Sequence, residues 1–229
     1  MQDSSNQELF TYYNERAPEY EAFYRGQFPD KTADPAIYKN DTLAIRRLLP
    51  KYIGGKCIDI ACGTGFWLPV YEKNCSRITM IDQSESVLAE CAKKIQRLGI
   101  ESRTETIRGD LFEHPFKAHQ YDTALIGFLI SHFKDPAMDK FFTALKTLLA
   151  PRGRFVIIDS LWSDVIKAMG RNKTGMVERS LFDGRKFKIY KQFFSLESLD
   201  VLSQKFSLDL EIVYWGKVFF LSAGRFADI

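Results

Sequence analysis

A chain of 229 residues suffices for one domain with an elaboration, and a composition 45% hydrophobic and 27% charged is that of a globular protein. A net charge of +3 singles out no nucleic-acid or membrane partner, and no apolar run approaches the roughly 18–20 residues that cross a bilayer. The four cysteines (57, 62, 75 and 91) form no C-x-x-C pair, so neither a disulfide framework nor a zinc site is expected. MQDSSNQELF lacks the basic-then-apolar pattern of a signal peptide, and a cytoplasmic protein is the expectation.

Residues 1–50 read as two helices, about 6–24 and 36–49, separated by the Gly- and Pro-containing RGQFPDKTADP. Short apolar runs then predict strands at 56–60, 77–82, 103–108, 121–127 and 154–159, and later at 208–214 and 217–223. Ser84 is placed to cap a helix whose stripe is Val87, Leu88, Cys91, Ile95 and Leu98, with Gly99 ending it. Asp135-Pro136 opens another, carrying Phe141, Phe142, Leu145, Leu148 and Leu149. Alternating strands and helices predict a parallel sheet covered on both faces. Only Trp215-Gly216 joins the last two strands, too short a link for a crossover, so they should form an antiparallel hairpin. Residues 160–194 interrupt this order. From Lys167 to Lys191 they hold eight Lys or Arg against Glu178 and Asp183, a local +6 that leaves the rest of the chain at −3. Within them Asp183-Gly184 sits between two β-prone runs, a strong hairpin signal.

The most informative segment is CIDIACGTG at 57–65, with MIDQS following at 80–84. A strand, a glycine turn and a second strand ending in Asp82 make the βαβ unit that holds a nucleoside, its acid accepting both ribose hydroxyls. A diphosphate loop would need G-x-G-x-x-G/A, but from Gly63 the chain reads G-T-G-F-W-L, so a phosphate-free nucleoside fits better. Asp59, inside an apolar strand, needs hydrogen-bond partners, either the loop N–H groups or a ligand's ammonium.

At these residues the chain resembles the class I S-adenosylmethionine-dependent methyltransferases, whose loop commonly reads D-x-A/G-C-G-T-G. Gly109-Asp110-Leu111, Tyr121-Asp122 and Ala150-Pro151-Arg152-Gly153-Arg154 follow in that family's order, with Pro-Arg-Gly standing where it usually has Pro-Gly-Gly. The likeness covers roughly residues 8–160. It implies an α/β fold, a Rossmann-like seven-stranded mixed sheet of order 3-2-1-4-5-7-6 with helices on both faces. It also implies a division into an N-terminal helical cover (1–50) and a core (51–229), with 160–194 as a lid-like insertion.

The resemblance implies S-adenosylmethionine as cofactor. Ala61, Gly63 and Gly65 would lie beside its methionine end, Asp59 against the loop or the ammonium, and Asp82, with Gln83 next to it, on the ribose. Asp110 and Leu111 would serve the adenine, Gly127 and Phe128 the carboxyl edge of the fourth strand. YYNERAPEY resembles the family's entry segment, placing Tyr13 and Tyr20 over the cofactor. His132 and Tyr13 are the candidates for catalysis, His132 either as a base or as a residue that positions substrate. A sulfonium is already activated, so the expected reaction is in-line methyl transfer, without metal, to an oxygen, nitrogen or carbon atom of a small molecule. Arg179, Arg185 and Lys188 on the insertion suit a carboxylate or phosphate on that substrate. Two alternatives stay open: a methyltransferase acting on RNA or protein, and a non-catalytic subunit retaining the fold. The stretch I-G-F-L, where many base N-methyltransferases have an N-P-P-Y-type tetrapeptide, weighs against nucleic acid.

Overall fold

The computed structural model describes residues 4–27 and 33–227, with side chains from residue 7 onward. Residues 28–32 of the linker read from the sequence lie outside this range. Seven strands form one sheet in the order β3-β2-β1-β4-β5-β9-β8. They are β1 (Gly55–Ile60), β2 (Cys75–Asp82), β3 (Thr104–Arg108), β4 (Tyr121–Gly127), β5 (Leu149–Ser160), β8 (Leu208–Trp215) and β9 (Phe219–Phe226). The pairs among β1 to β5 are parallel, while β9 runs antiparallel to both β5 and β8. With the insertion's own two strands set aside, this is the expected order 3-2-1-4-5-7-6. The final turn is longer than Trp215-Gly216, because β9 starts at Phe219.

Helices α4 (Glu85–Leu98) and α5 (Asp135–Leu148) form where the apolar spacing places them, each burying its stripe on the sheet. Ser84 caps α4 by accepting from Val87 N at 3.3 Å, and Gly99 ends it in the left-handed conformation. Between β1 and β2 the helix is reduced to α3 (Leu68–Tyr71) and one 3-10 turn, with Pro69 in its first turn. Sheet and helices enclose two apolar cores, one on each face. Among the described residues no helix is long and apolar enough to cross a membrane.

The amino-terminal region departs from a single long helix. It forms α1 (Ser4–Glu15) and then a 3-10 helix over Ala17–Arg25, with Pro18 at the junction, where its missing N–H suits a helix start. Helix α2 (Pro35–Leu48) follows, and its buried Asp41 accepts from the backbone N–H of Lys217, Val218 and Phe219 at 2.8–3.0 Å and from Tyr214 Oη at 2.9 Å. A side chain at Gly216 would overlap that carboxylate, so the turn before β9 needs glycine.

The basic insertion holds α6 (Asp164–Ala168) and the antiparallel pair β6 (Thr174–Ser180) and β7 (Lys186–Gln192), joined at Asp183-Gly184. This hairpin lies on the chain's own amino terminus. Leu181 and Ile189 bury against Tyr12, Arg185 pairs with Glu15 at 2.9 Å, and Glu19 accepts from Phe182 N. Helix α7 (Leu196–Phe206) then returns the chain to the sheet.

One expectation is corrected outright. Cys57 and Cys75 form a disulfide, their Cα atoms 6.1 Å apart, while Cys62 and Cys91 are free and buried. The two residues stand 18 apart in sequence, a spacing without a local signature, and only the pairing of β1 with β2 brings them within bridging distance.

Candidate active site

The carboxyl ends of β1, β2 and β4 meet beneath the 3-10 helix. Asp82 ends β2, and its two oxygens accept from Gly63 N and Ser84 N, both at 2.9 Å. Each keeps a second lone pair for a hydroxyl. Gln83 donates to Asp110 at 3.1 Å, and Asp110 also accepts from Phe112 N at 2.8 Å, so the turn after β2 is tied to the acid after β3. Leu111 is half-buried beside them.

Asp59 is buried in β1, and its partner is the Tyr71 hydroxyl at 2.8 Å, where the sequence had suggested loop N–H groups or a ligand ammonium. Those N–H groups are directed elsewhere, Gly63 N to Asp82 and Cys62 N to Ile81 O. Desolvation raises the Asp59 pKa to about 7 and also raises that of Asp82. Neither acid has a Lys or Arg within ion-pair distance among the described residues.

Ala61, Gly63 and Gly65 all have positive φ (54°, 54° and 68°), as does Phe128 (56°) at the end of β4. For Ala61 and Phe128 this conformation costs free energy, and such strain gathers at ligand sites. A side chain at Gly63 would start 3.4 Å from the Tyr20 ring, so the entry segment covers this turn. That cover is fastened: Ser84 donates to Asn14 at 2.9 Å, and Lys94 pairs with Glu21 while donating to Thr64 O at 2.6 Å. Trp67 Nε1, buried beside Gly127, has no hydrogen-bond partner among the described residues.

Next to this acidic half lies a cavity of about 50 Å³ enclosed by α1, the hairpin and the ends of β4, β5 and β9. Its lining brings together both catalytic candidates. Tyr13 Oη lies 2.8 Å from His132 Nε2, and His132 Nδ1 lies 2.7 Å from Tyr190 O. A carbonyl only accepts, so Nδ1 carries the proton and Nε2 accepts from the tyrosine. Burial and the nearby Lys191 charge hold the imidazole well below its usual pKa, and burial raises the Tyr13 phenol well above its own. The resting pair is therefore neutral imidazole and neutral phenol.

The cavity is also lined by four cations, Arg16, Arg171, Arg179 and Lys191. Lys191 is buried and donates to Ser131 Oγ at 2.5 Å and to Asp159 at 3.3 Å. Arg16 donates to Tyr12 Oη at 2.6 Å and lies 5.4–5.7 Å from the rings of Tyr12, Tyr20 and Phe23. The three guanidiniums have no carboxylate within ion-pair distance among the described residues. Of the three insertion cations singled out in the sequence, only Arg179 reaches the cavity. Arg185 is taken by Glu15 and Asp183, and Lys188 is exposed on the outer face. Lys191 and Asp159 gave no sequence signal; a buried pair needs both partners placed.

A family model described as "Methyltransferase domain" matches residues 57–153, the segment that carries the glycine turn, Asp82 and Asp110. Over that segment the chain is similar to methyltransferase domains. It is 28% identical over 111 residues to a phosphatidylethanolamine N-methyltransferase of Cereibacter sphaeroides, covering 48% of this chain and 53% of that protein. It is 30% identical over 101 residues to a demethylmenaquinone methyltransferase of Bacillus cytotoxicus, covering 43% and 41%. The chain thus spans about half the length of these curated relatives or less. Among solved structures, a DhpI–SAM–HEP complex superposes with a TM-score of 0.78 at 24% identity, covering 98% of this chain and 99% of that one. The PH0226 protein of Pyrococcus horikoshii superposes at 0.67 and 17% identity, covering 91% and 99%. These two likenesses carry the fold, and they extend over residues on both sides of the matched segment.

S-adenosylmethionine, the cofactor that the resemblance implies, fits the acidic half of the site on three observations. Asp59 and Asp82 are carboxylates without cations, a charge that suits a ligand itself positive at its ammonium and sulfonium. The turn at Gly63 presents backbone without a side chain beneath Tyr20. Trp67 Nε1 offers an unused donor next to Gly127.

Proposed function

We propose that this methyltransferase acts on a small molecule bearing a carboxylate or phosphoryl group, held under the hairpin by Arg16, Arg179 and Lys191. The observation that carries the reading is the division of charge. Acids without cations lie on the cofactor side, and guanidiniums without acids lie on the acceptor side. Like charges in a closed, poorly solvated cavity are costly unless a ligand neutralises them, and an oxyanion does so with charge-assisted bonds.

S-adenosylmethionine, when bound, supplies a methyl group on an activated sulfonium. The chain's own residues then have little covalent work. Asp82, with Gln83 and Asp110 behind it, holds the ribose end, and Tyr20 covers the turn. Arg16 and Arg179 orient the acceptor, and the α1–hairpin roof excludes water. His132 holds Tyr13 by accepting its proton in a hydrogen bond, and Tyr190 O fixes the tautomer that makes this possible. An acceptor that is already anionic needs no base, which makes His132 a positioning residue in this reading. The enclosed cavity, smaller than a substrate, favours small molecules over polymers and requires α1 and the hairpin to part when an acceptor enters. In the same reading residues 1–50 are the cover and 160–194 the lid.

The test is methyl transfer from labelled S-adenosylmethionine to a panel of carboxylates, phosphoryl compounds and their neutral amides or esters. Anionic members alone should be methylated, and Arg179→Gln should raise KM at least about tenfold with cofactor affinity within a few-fold. Equal turnover of neutral members would overturn the anionic assignment.

A further inference from the structure

At the opposite end of the sheet from the active site, a cleft of about 280 Å³ is lined by Lys51, Tyr52, Asp122, Arg152, Arg154 and Arg225. We propose that this cleft is a second binding site, for a small polyanion carrying phosphoryl groups.

Two separate costs are borne here. Arg152 has φ of 63°, the left-handed region that glycine adopts freely and a branched or long side chain does not. Pairing of β5 with β9 ends with Phe155 opposite Gly224, which leaves Arg154 and Arg225 as neighbours at the end of the ladder, with Asp209 across from Arg225 on β8. Like charges directly across a sheet repel. A surface under no demand would relieve both costs with Gly at 152 and a neutral residue at 154 or 225.

The cations are also unspent. None of Lys51, Arg152, Arg154 and Arg225 has a carboxylate within ion-pair distance among the described residues. Asp122, the acid of the cleft, is occupied by Lys56 N at 2.8 Å, and Glu211 nearby accepts from Tyr52 Oη at 3.0 Å. Arg154 instead lies over the Tyr52 ring, 5.8 Å from its centroid, which leaves the edge of its guanidinium clear. Planar forks and an ammonium converging on one concavity suit phosphoryl oxygens. The volume falls short of a drug-sized pocket, so the ligand is compact.

The probe is inorganic pyrophosphate, titrated calorimetrically into the full chain, with Arg152→Gly and Arg154→Gln/Arg225→Gln as the cleft variants. Wild type should bind it. Each cleft variant should lose that binding event or weaken it at least about tenfold, the size expected for a charge-assisted contact. Arg152→Gly should at the same time melt higher than wild type, because the left-handed strain is gone, and cofactor affinity should not change. Three outcomes overturn the proposal: no binding to wild type, unchanged isotherms in the cleft variants, or a cleft-dependent affinity for a single-stranded oligonucleotide with none for pyrophosphate.

Discussion

Asp59→Asn should stabilise the protein above neutral pH and weaken its hold on the cofactor, two effects of opposite sign from one atom. The carboxyl is buried, and its pKa stands at about 7 against an ordinary 3.8, with desolvation as the leading cause and the Asp82 charge adding to it. That difference corresponds to about 4 kcal/mol of penalty on the charged form. Native Asp59 binds its proton more tightly than the unfolded chain does. Stability is therefore undiminished below about pH 4, falls as the pH rises through the interval, and levels off above about pH 7. Asparagine is nearly isosteric, its Oδ1 still accepts from Tyr71, and it carries no charge. The two proteins should coincide near pH 4 and diverge to as much as about 4 kcal/mol in favour of the variant by pH 8. Chemical denaturation across that range, without cofactor, reads the divergence directly. Asp82 shifts in the same direction but is present in both proteins, so it cancels in the difference except for its coupling to Asp59. Parallel stability curves for wild type and variant would refute the argument, since no differential protonation would then be linked to this site.

Asp82→Ala should cut S-adenosylmethionine affinity by about ten- to a hundredfold or more, for the loss of charge-assisted bonds, and calorimetry with the cofactor checks it. The kcat/KM profile should show no limb near pH 6.5 from His132, whose pKa is held well below that value by burial; a limb there that vanishes in His132→Asn would restore the base. Lys191→Ala should destabilise the fold by about 3–5 kcal/mol, since it strands Asp159 as a buried charge, and Asp159→Asn in the same chain should recover much of the loss in thermal denaturation. Turnover should survive exhaustive treatment with EDTA, and rescue by magnesium after a loss would contradict that.

The strands, their order of appearance and the cofactor turn are legible in the residues because each rests on local chemistry. Short apolar runs, the helix cap at Ser84, Pro136 in the first turn of α5, and the left-handed demands at Gly63 and Gly65 act over a few positions. Asp183-Gly184 likewise announces its own hairpin, and the strands β6 and β7 form on either side of it. The breaks from expectation share a different character. Pro18 divides the first helix, and the Cys57–Cys75 bridge depends on strands pairing side by side.

By itself, then, the sequence determined a βαβ unit with a glycine turn, Asp82 at the end of its second strand, and a basic insertion after the fifth strand. Which of those basic residues face inward was settled only in three dimensions. Arg179, Lys191 and Arg171 line the cavity while Arg185 and Lys188 do not, because the pleat of β6 and β7 and the seating of α1 upon them decide which side chains are covered. Tyr13 and His132 are 119 residues apart and meet at 2.8 Å for the same reason. Local preferences select the elements, but burial of their apolar faces against one another chooses the distant partners, and the site is built from those partners.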